Sequence, residues 1–225
     1  MKRSVRYLLL IIVATIIAVT NLNAQPKPPY QPKLFVGLSG GVSMSRLAYH
    51  PKVSLDSYIG YMGGIMARAE VESFAGVQLE VNYSQRGWKE YFEPDREGNP
   101  AYQMQLKWID IPLMSNLFLR AGRFRFFLNM GPQISFMLNN QASIEGEGFN
   151  KTEIKRHNLE VKGKFGWGLV GGPGISFDMG KLGLIELEGR FNYAFNDIFS
   201  NTAKDPYDKS SEMVGTLKIN YLYKF

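Results

Sequence analysis

Cysteine is absent from the 225 residues, and only two histidines occur, His50 and His157. The first absence excludes disulfide bracing, lipid attachment at a mature N-terminal cysteine and thiol nucleophilic catalysis. The longest uncharged apolar run, Tyr7 to Thr20, has 14 residues, too few to span a bilayer as a helix. Amphipathic helical periodicity is missing throughout, and so is the continuous core pattern of a soluble domain of this length. Excess charge of one sign is scarce too. The formal net charge is +6, but Lys2, Arg3 and Arg6 precede the apolar run, so the remainder carries about +3 with acids and bases interspersed. That balance gives no nucleic-acid footprint, and no nucleic-acid partner is expected.

What is present begins with a short basic segment, the 14-residue apolar run and Asn21-Leu22-Asn23-Ala24. This is the order of a secretory leader, and residues 1–24 are expected to be a cleaved signal peptide. Residues 25–32, "QPKPPYQP", form a proline-rich lead-in with no capacity for a strand ladder. Residues 33–225 make one barrel domain in this reading.

Period-2 alternation recurs along that domain, which marks strands with two different surroundings. Strands are expected over Lys33–Ser45, Ile59–Glu70, Ala75–Arg86, Tyr102–Phe118, Arg123–Leu138, Phe165–Asp178, Leu184–Asn196 and Met213–Phe225. In the third, Val77, Leu79, Val81 and Tyr83 oppose Gln78, Glu80, Asn82 and Ser84. Most of these runs reach or exceed the roughly nine to eleven residues of a tilted membrane strand. Connections alternate between tight turns (70–75, 119–123, 178–183) and long polar loops (46–58, 87–101, 139–164, 197–212). The expected fold is therefore all-β, an eight-stranded antiparallel up-and-down transmembrane β-barrel with four long outer loops and three short periplasmic turns.

Charge placement decides between lipid and water. By strand parity Arg68, Glu70, Glu80, Arg86, Asp110, Arg125, Glu186, Glu188, Arg190 and Lys218 all fall on the polar face. An Arg or Lys facing lipid at the midplane costs roughly 2–4 kcal/mol, so this face must look inward. The acids and bases there balance, which implies a paired luminal charge network. Eight strands leave an interior just wide enough for side chains to fill it, and a general diffusion pore is not expected. Aromatic residues gather near strand ends, among them Phe35, Tyr61, Trp108, Trp167, Tyr193 and Phe225, as girdles at the two membrane interfaces would. A soluble sandwich or lipocalin-like barrel, the competing architecture, would turn the polar face to water and favour shorter strands. Outer-membrane location follows, with membrane lipid as the surrounding partner.

The segments "VGLSGGVSMS" (Val36 to Ser45), "GVQLEVNYSQRG" (Gly76 to Gly87), "WIDIPLMSNL" (Trp108 to Leu117), "GWGLVGGPGISF" (Gly166 to Phe177) and the final strand together resemble the PorT-like outer-membrane β-barrel family, named for a component of type IX secretion. Asn116 stands where that family often has lysine. The resemblance implies an outer-membrane barrel of mostly unassigned role, with a link to protein secretion as one candidate, and does not make the chain the secretion component itself.

Tyr221, Tyr223 and Phe225 give the last strand an outward aromatic face, read as the signal for the outer-membrane assembly machinery. Trp88, Tyr91 and Phe92 are expected on a loop, exposed for partner contact. Pro112, Pro132 and Pro173 interrupt three consecutive strands, where proline removes a ladder donor. Apolar parity flips in the fourth strand, from Met104, Leu106 and Trp108 to Ile109, Ile111 and Leu113, and a bulge near 108–109 is expected to absorb it.

Spacing assembles no Ser-His-Asp set or carboxylate pair, no ordered calcium loop and no phosphate loop in "GLVGGPG". No catalytic, metal or cofactor residue is assigned. Two functional classes stand: a non-enzymatic structural or binding component of the envelope, and a narrow conduit or sensor for small or apolar molecules. An outer-rim hydrolase built around His157 ranks behind both.

Overall fold

The computed structural model describes residues 30–50, 55–92, 95–158, 161, 163–199 and 209–225. The expected leader and most of the lead-in lie outside the described residues. The chain forms eight strands: β1 (Lys33–His50), β2 (Leu55–Glu70), β3 (Ala75–Glu90), β4 (Ala101–Ala121), β5 (Phe124–Glu145), β6 (Phe165–Asp178), β7 (Leu184–Asp197) and β8 (Lys209–Lys224). A helix α1 (Lys151–His157) and one 3₁₀ turn (Gly180–Leu182) complete the described elements. Each strand pairs antiparallel with the next, and β8 closes the ring on β1 from Phe35↔Lys224 to His50↔Lys209. Closure leaves no edge, as hydrocarbon demands, because an unpaired backbone group finds no water there.

Alternation now reads as a barrel with its apolar face outward. Leu34, Val36, Leu38, Val42 and Met44 of β1 are exposed while Phe35, Ser39, Ser43 and Ser45 are buried. The same division holds in β3, where Val77, Leu79, Val81 and Tyr83 are exposed and Gln78, Glu80, Asn82 and Ser84 are buried. An apolar belt running round every strand far exceeds the patches a soluble monomer tolerates; it is the surface that meets acyl chains.

Several sequence-based expectations need correction. β1 and β2 continue to His50 and from Leu55, so the first outer connection spans only residues 51–54 and is not long. Inward burial of Leu47 and Tyr58 explains why the alternation runs on through polar residues. His50 is therefore a strand residue. The other three outer connections, 91–100, 146–164 and 198–208, are long, and the opposite end carries 71–74, 122–123 and 179–183. Helix α1 was not foreseen; Asn150 and Glu153 cap it reciprocally, through Asn150 N–H to Glu153 Oε2 and Glu153 N–H to Asn150 Oδ1, both 2.8 Å.

Parity in β4 does not flip. Even-numbered side chains from Tyr102 to Phe118 stay inward, and Met104, Leu106 and Trp108 belong to an apolar cluster with Leu47, Trp88, Tyr102, Val161, Ile198 and Phe199. The inner face can be apolar here because loop residues cover it. The bulge lies instead in β5 at Leu138, between Lys107↔Asn139 and Trp108↔Met137. No register shift falls at the prolines. Pairing lapses at Pro112 between β3 and β4, at Pro132 between β4 and β5, and at Pro173 between β6 and β7, with register kept on both sides.

Leu79→Arg is expected to destabilise the barrel by about 2–4 kcal/mol, whereas Ile144→Arg, on the part of β5 exposed on both faces, should change stability little. Urea titration of protein folded into phospholipid vesicles measures both. Glu80, Leu113 and Gly189, opposite the three prolines by register, should show faster amide exchange than their strand neighbours in mass-resolved hydrogen exchange.

Candidate functional site: the filled lumen

The ten charged residues on the polar parity all meet inside the barrel. Arg68 grips Glu186 with two parallel bonds of 2.6 and 2.8 Å and donates Nε to Gln78 at 2.6 Å. Arg190 makes the same fork on Glu80 at 2.7 and 2.8 Å and reaches Glu188 at 2.7 Å. Lys218 lies between them, 3.0 Å from Glu80 and 3.7 Å from Glu188. Two-pronged guanidinium–carboxylate contacts fix direction as well as charge. The strands supplying them are far apart in sequence: Glu80 and Lys218 are 138 residues apart.

Amides occupy the carboxylate positions that cations leave open. Asn82 donates to Glu80 at 2.7 Å, Asn129 to Glu188 at 3.1 Å, and Asn220 to Glu186 and Glu188 at 3.3 and 3.1 Å. Toward the outer end Arg86 joins Asp110 and Glu212, the latter at 2.9 Å. Ser84 and Ser135 each donate to Asp110 at 2.6 Å. Toward the short-turn end Glu70 receives both Arg125 and Arg120. Such groups are almost fully removed from water; Glu70, Glu188 and Lys218 are 0% exposed. Burial of this depth is tolerable only because each charge has an opposite partner and most accept or donate further hydrogen bonds.

Glu212, Arg120 and the amides were not assigned from sequence. Glu212 shares the even parity of Lys218 and Asn220, and the signal was hidden by starting the last strand at Met213 rather than Lys209. Arg120 lies in β4 two residues past Phe118, where the alternation in the sequence ends.

Apolar layers close the ionic zone at both ends. On the short-turn side Phe35, Met66, Leu184 and Leu222 form a buried cluster, which explains why Leu222 breaks the polar alternation of its strand. Phe35 and Trp108 are thus luminal, not girdle, residues. Gly174 makes room in this narrow interior, because a Cβ there would stand 2.2 Å from the Phe127 ring. Two of the spaces left between luminal side chains measure about 10 and 30 Å³, room for at most a water or two.

Trp88 is corrected as well. β3 extends to Glu90, even parity turns Trp88 inward, and it lies 2% exposed with its ring 5.7 Å from Phe199. Tyr91 remains exposed and Phe92 is half-buried with its ring 5.7 Å from Phe149. His157 contacts Glu90 at 3.1 Å and stacks on Tyr102 at 3.8 Å. Arg96 binds Glu153 through two bonds of 2.8 Å, so these contacts join the 91–100 connection to α1. At the other end Tyr221 donates to the Leu182 carbonyl at 2.8 Å, Phe225 donates its N–H to Leu34 at 3.0 Å, and the Tyr223 and Phe225 rings meet edge-on at 5.5 Å.

A closed ring of eight strands with aliphatic side chains outside and neutralised charges inside is an integral membrane β-barrel of the outer-membrane type. The chain belongs to the family described as outer membrane protein β-barrel domain, whose model matches residues 23–200. The protein accordingly resides in the outer membrane. Among solved structures it is similar to OprG from Pseudomonas aeruginosa (14% identity, 86% of this chain and 95% of that one, TM-score 0.49). It is similar also to Ail of Yersinia pestis (12%, 84% and 98%, 0.42) and to Neisserial surface protein A (13%, 85% and 99%, 0.42). No curated protein matches the chain.

Glu80→Gln strands Arg190 and Lys218 beside one remaining carboxylate and is expected to cost about 3–5 kcal/mol. Adding Lys218→Met should recover part of that loss, a coupling read by a double-mutant cycle of vesicle unfolding titrations.

Proposed function

We propose that the protein is a non-enzymatic structural or binding component of the outer membrane, a rigid barrel that holds its outer loops toward a partner in the envelope or outside the cell. The packed, charge-neutral lumen carries this reading: with Glu80, Glu188, Arg190 and Lys218 interlocked, the interior acts as a structural core rather than a path. The outer end offers a platform through the exposed stretch of β5 from Leu138 to Glu145 and Tyr91. The PorT-like order of segments supports a link to protein secretion. Residues 1–24 act in this reading as a cleaved signal peptide and 25–32 as a periplasmic lead-in. The exposed aromatics Tyr221, Tyr223 and Phe225 serve as the mark read by the assembly machinery.

The hydrolase reading is weakened by the seat of His157, whose ring is covered by Tyr102 and Phe149 and whose Nε2 is engaged by Glu90. A second reading, a narrow conduit or sensor for small apolar molecules, draws on the apolar outer cluster of the lumen and the ladder lapses at the prolines.

Reconstituted into planar bilayers, the protein is expected to show no sustained ion conductance above bare lipid. Purification from native outer membranes should bring down a protein partner that Tyr91→Ser reduces. Steady single-channel currents would transfer support to the conduit reading. Comparing the secreted proteome of a gene-deletion strain with its parent then tests the secretion link, and identical proteomes would remove it.

A further inference from the structure

The short-turn mouth of the barrel contains a cavity of about 670 Å³, larger than the spaces inside the lumen cited above. Its cationic lining comes from five places in the sequence: Lys33, Arg120, Arg125, Lys181 and Lys224. Asp178 is the acidic residue in the wall, and Glu70 lies just inside. Five side-chain cations thus face two side-chain carboxylates, whereas the four cations and five carboxylates of the lumen above lie within one charge of neutrality.

The acids present are already committed. Glu70 divides its two oxygens between Arg120 at 2.8 Å and Arg125, and Asp178 stands 3.5 Å from Arg125. Lys181 and Lys224 have no carboxylate within ion-pairing distance among the described residues. Arg120 and Arg125 lie directly opposite each other across β4 and β5, a like-charge pairing that destabilises a sheet. Lys33 is partly desolvated and repelled by Arg120, Lys224 and Arg125, with Glu70 as the attracting neighbour. Concentrating positive charge in a concavity at a membrane boundary is unfavourable for the barrel alone and becomes favourable when an anion enters.

The apolar part of the wall indicates what carries the anion. Phe35 and Leu184 line the inner side, and Tyr223 and the 75% exposed Phe225 form the lip where the barrel meets lipid. We infer that this mouth is a recognition site for a phosphate-bearing anion, set at the height of the periplasmic headgroups. Lysine and arginine supply the charge, and the aromatic lip accommodates the glycerol and acyl portion when the phosphate belongs to an anionic phospholipid. Free phosphate shares the same headgroup chemistry.

Native mass spectrometry of the full-length protein in micelles doped equally with phosphatidylglycerol and phosphatidylcholine tests the lipid source. Titration calorimetry with inorganic phosphate tests the soluble one. Phosphatidylglycerol adducts are expected to dominate, and each cation neutralised by Lys33→Gln, Lys181→Gln or Lys224→Gln should weaken them about fivefold. The Lys→Arg variants at the same positions should retain binding. Heat-modifiable migration of the folded barrel on gels separates loss of the site from loss of folding. Phosphate binding with the same variant dependence would support the site with the soluble source. Equal adducts of the two lipids together with no phosphate binding, or adducts unchanged in folded Lys→Gln variants, would overturn it.

Discussion

Hydrocarbon offers the peptide backbone no hydrogen bond, so a chain that crosses it in strands must satisfy every N–H and C=O from its neighbours and must close on itself. The sixteen-residue partnership of β1 and β8 is where this protein meets that demand. Closure then dictates side-chain placement. With a period of two, one face of each strand goes to lipid and the other to a cylinder too narrow for bulk water. Any charge the strands carry must enter that cylinder, and any charge within it must find an opposite.

The luminal network is the consequence. Single carboxylates serve several cations, as Glu80 does for Arg190 and Lys218, and amides complete the shells. Buried ion pairs are weak evidence of net stability, since two desolvated charges often do no better than a well-packed apolar pair. Their value here is directional. The forked contacts of Arg68 on Glu186 and Arg190 on Glu80 tie β2 to β7 and β7 to β3 across the lumen, which strand pairing alone leaves unconnected. Apolar layers at each end, around Leu222 and around Trp108, keep this polar zone dry. The barrel is thereby filled like a core turned inside out, and its outer loops are presented on a stiff base.

The three prolines show how such a wall accommodates a missing donor. Register is preserved past Pro112, Pro132 and Pro173, so the chain keeps its inward and outward faces and gives up only local hydrogen bonds. A bulge would have reversed the faces for the rest of the strand. Register shifts do occur at Leu138 of β5, between Ser57 and Met62 of β2 and between Tyr193 and Asp197 of β7, all toward the outer ends of the strands.

Strand number, membrane placement and the ten inward charges were legible in the chain, because alternation and the penalty for charge in lipid are local, additive signals. Arg68, Glu80, Arg190 and Lys218 could be assigned to one side of the wall from neighbours two residues away. Which cation meets which carboxylate could not, since Glu80 and Lys218 are joined only by curvature of the closed sheet. The inward path of Trp88, Met104, Leu106 and Trp108 was hidden for the same reason: an apolar residue is compatible with lipid or with a covered lumen, and parity alone does not distinguish them until the capping side chains of Val161, Ile198 and Phe199 are in position. The unbalanced charge at the short-turn mouth also arises only on folding, when residues from β1, β4, β5, β8 and a turn converge. Local pattern thus sets the facing of each strand, while pairing, capping and charge concentration depend on contacts that the linear order does not contain.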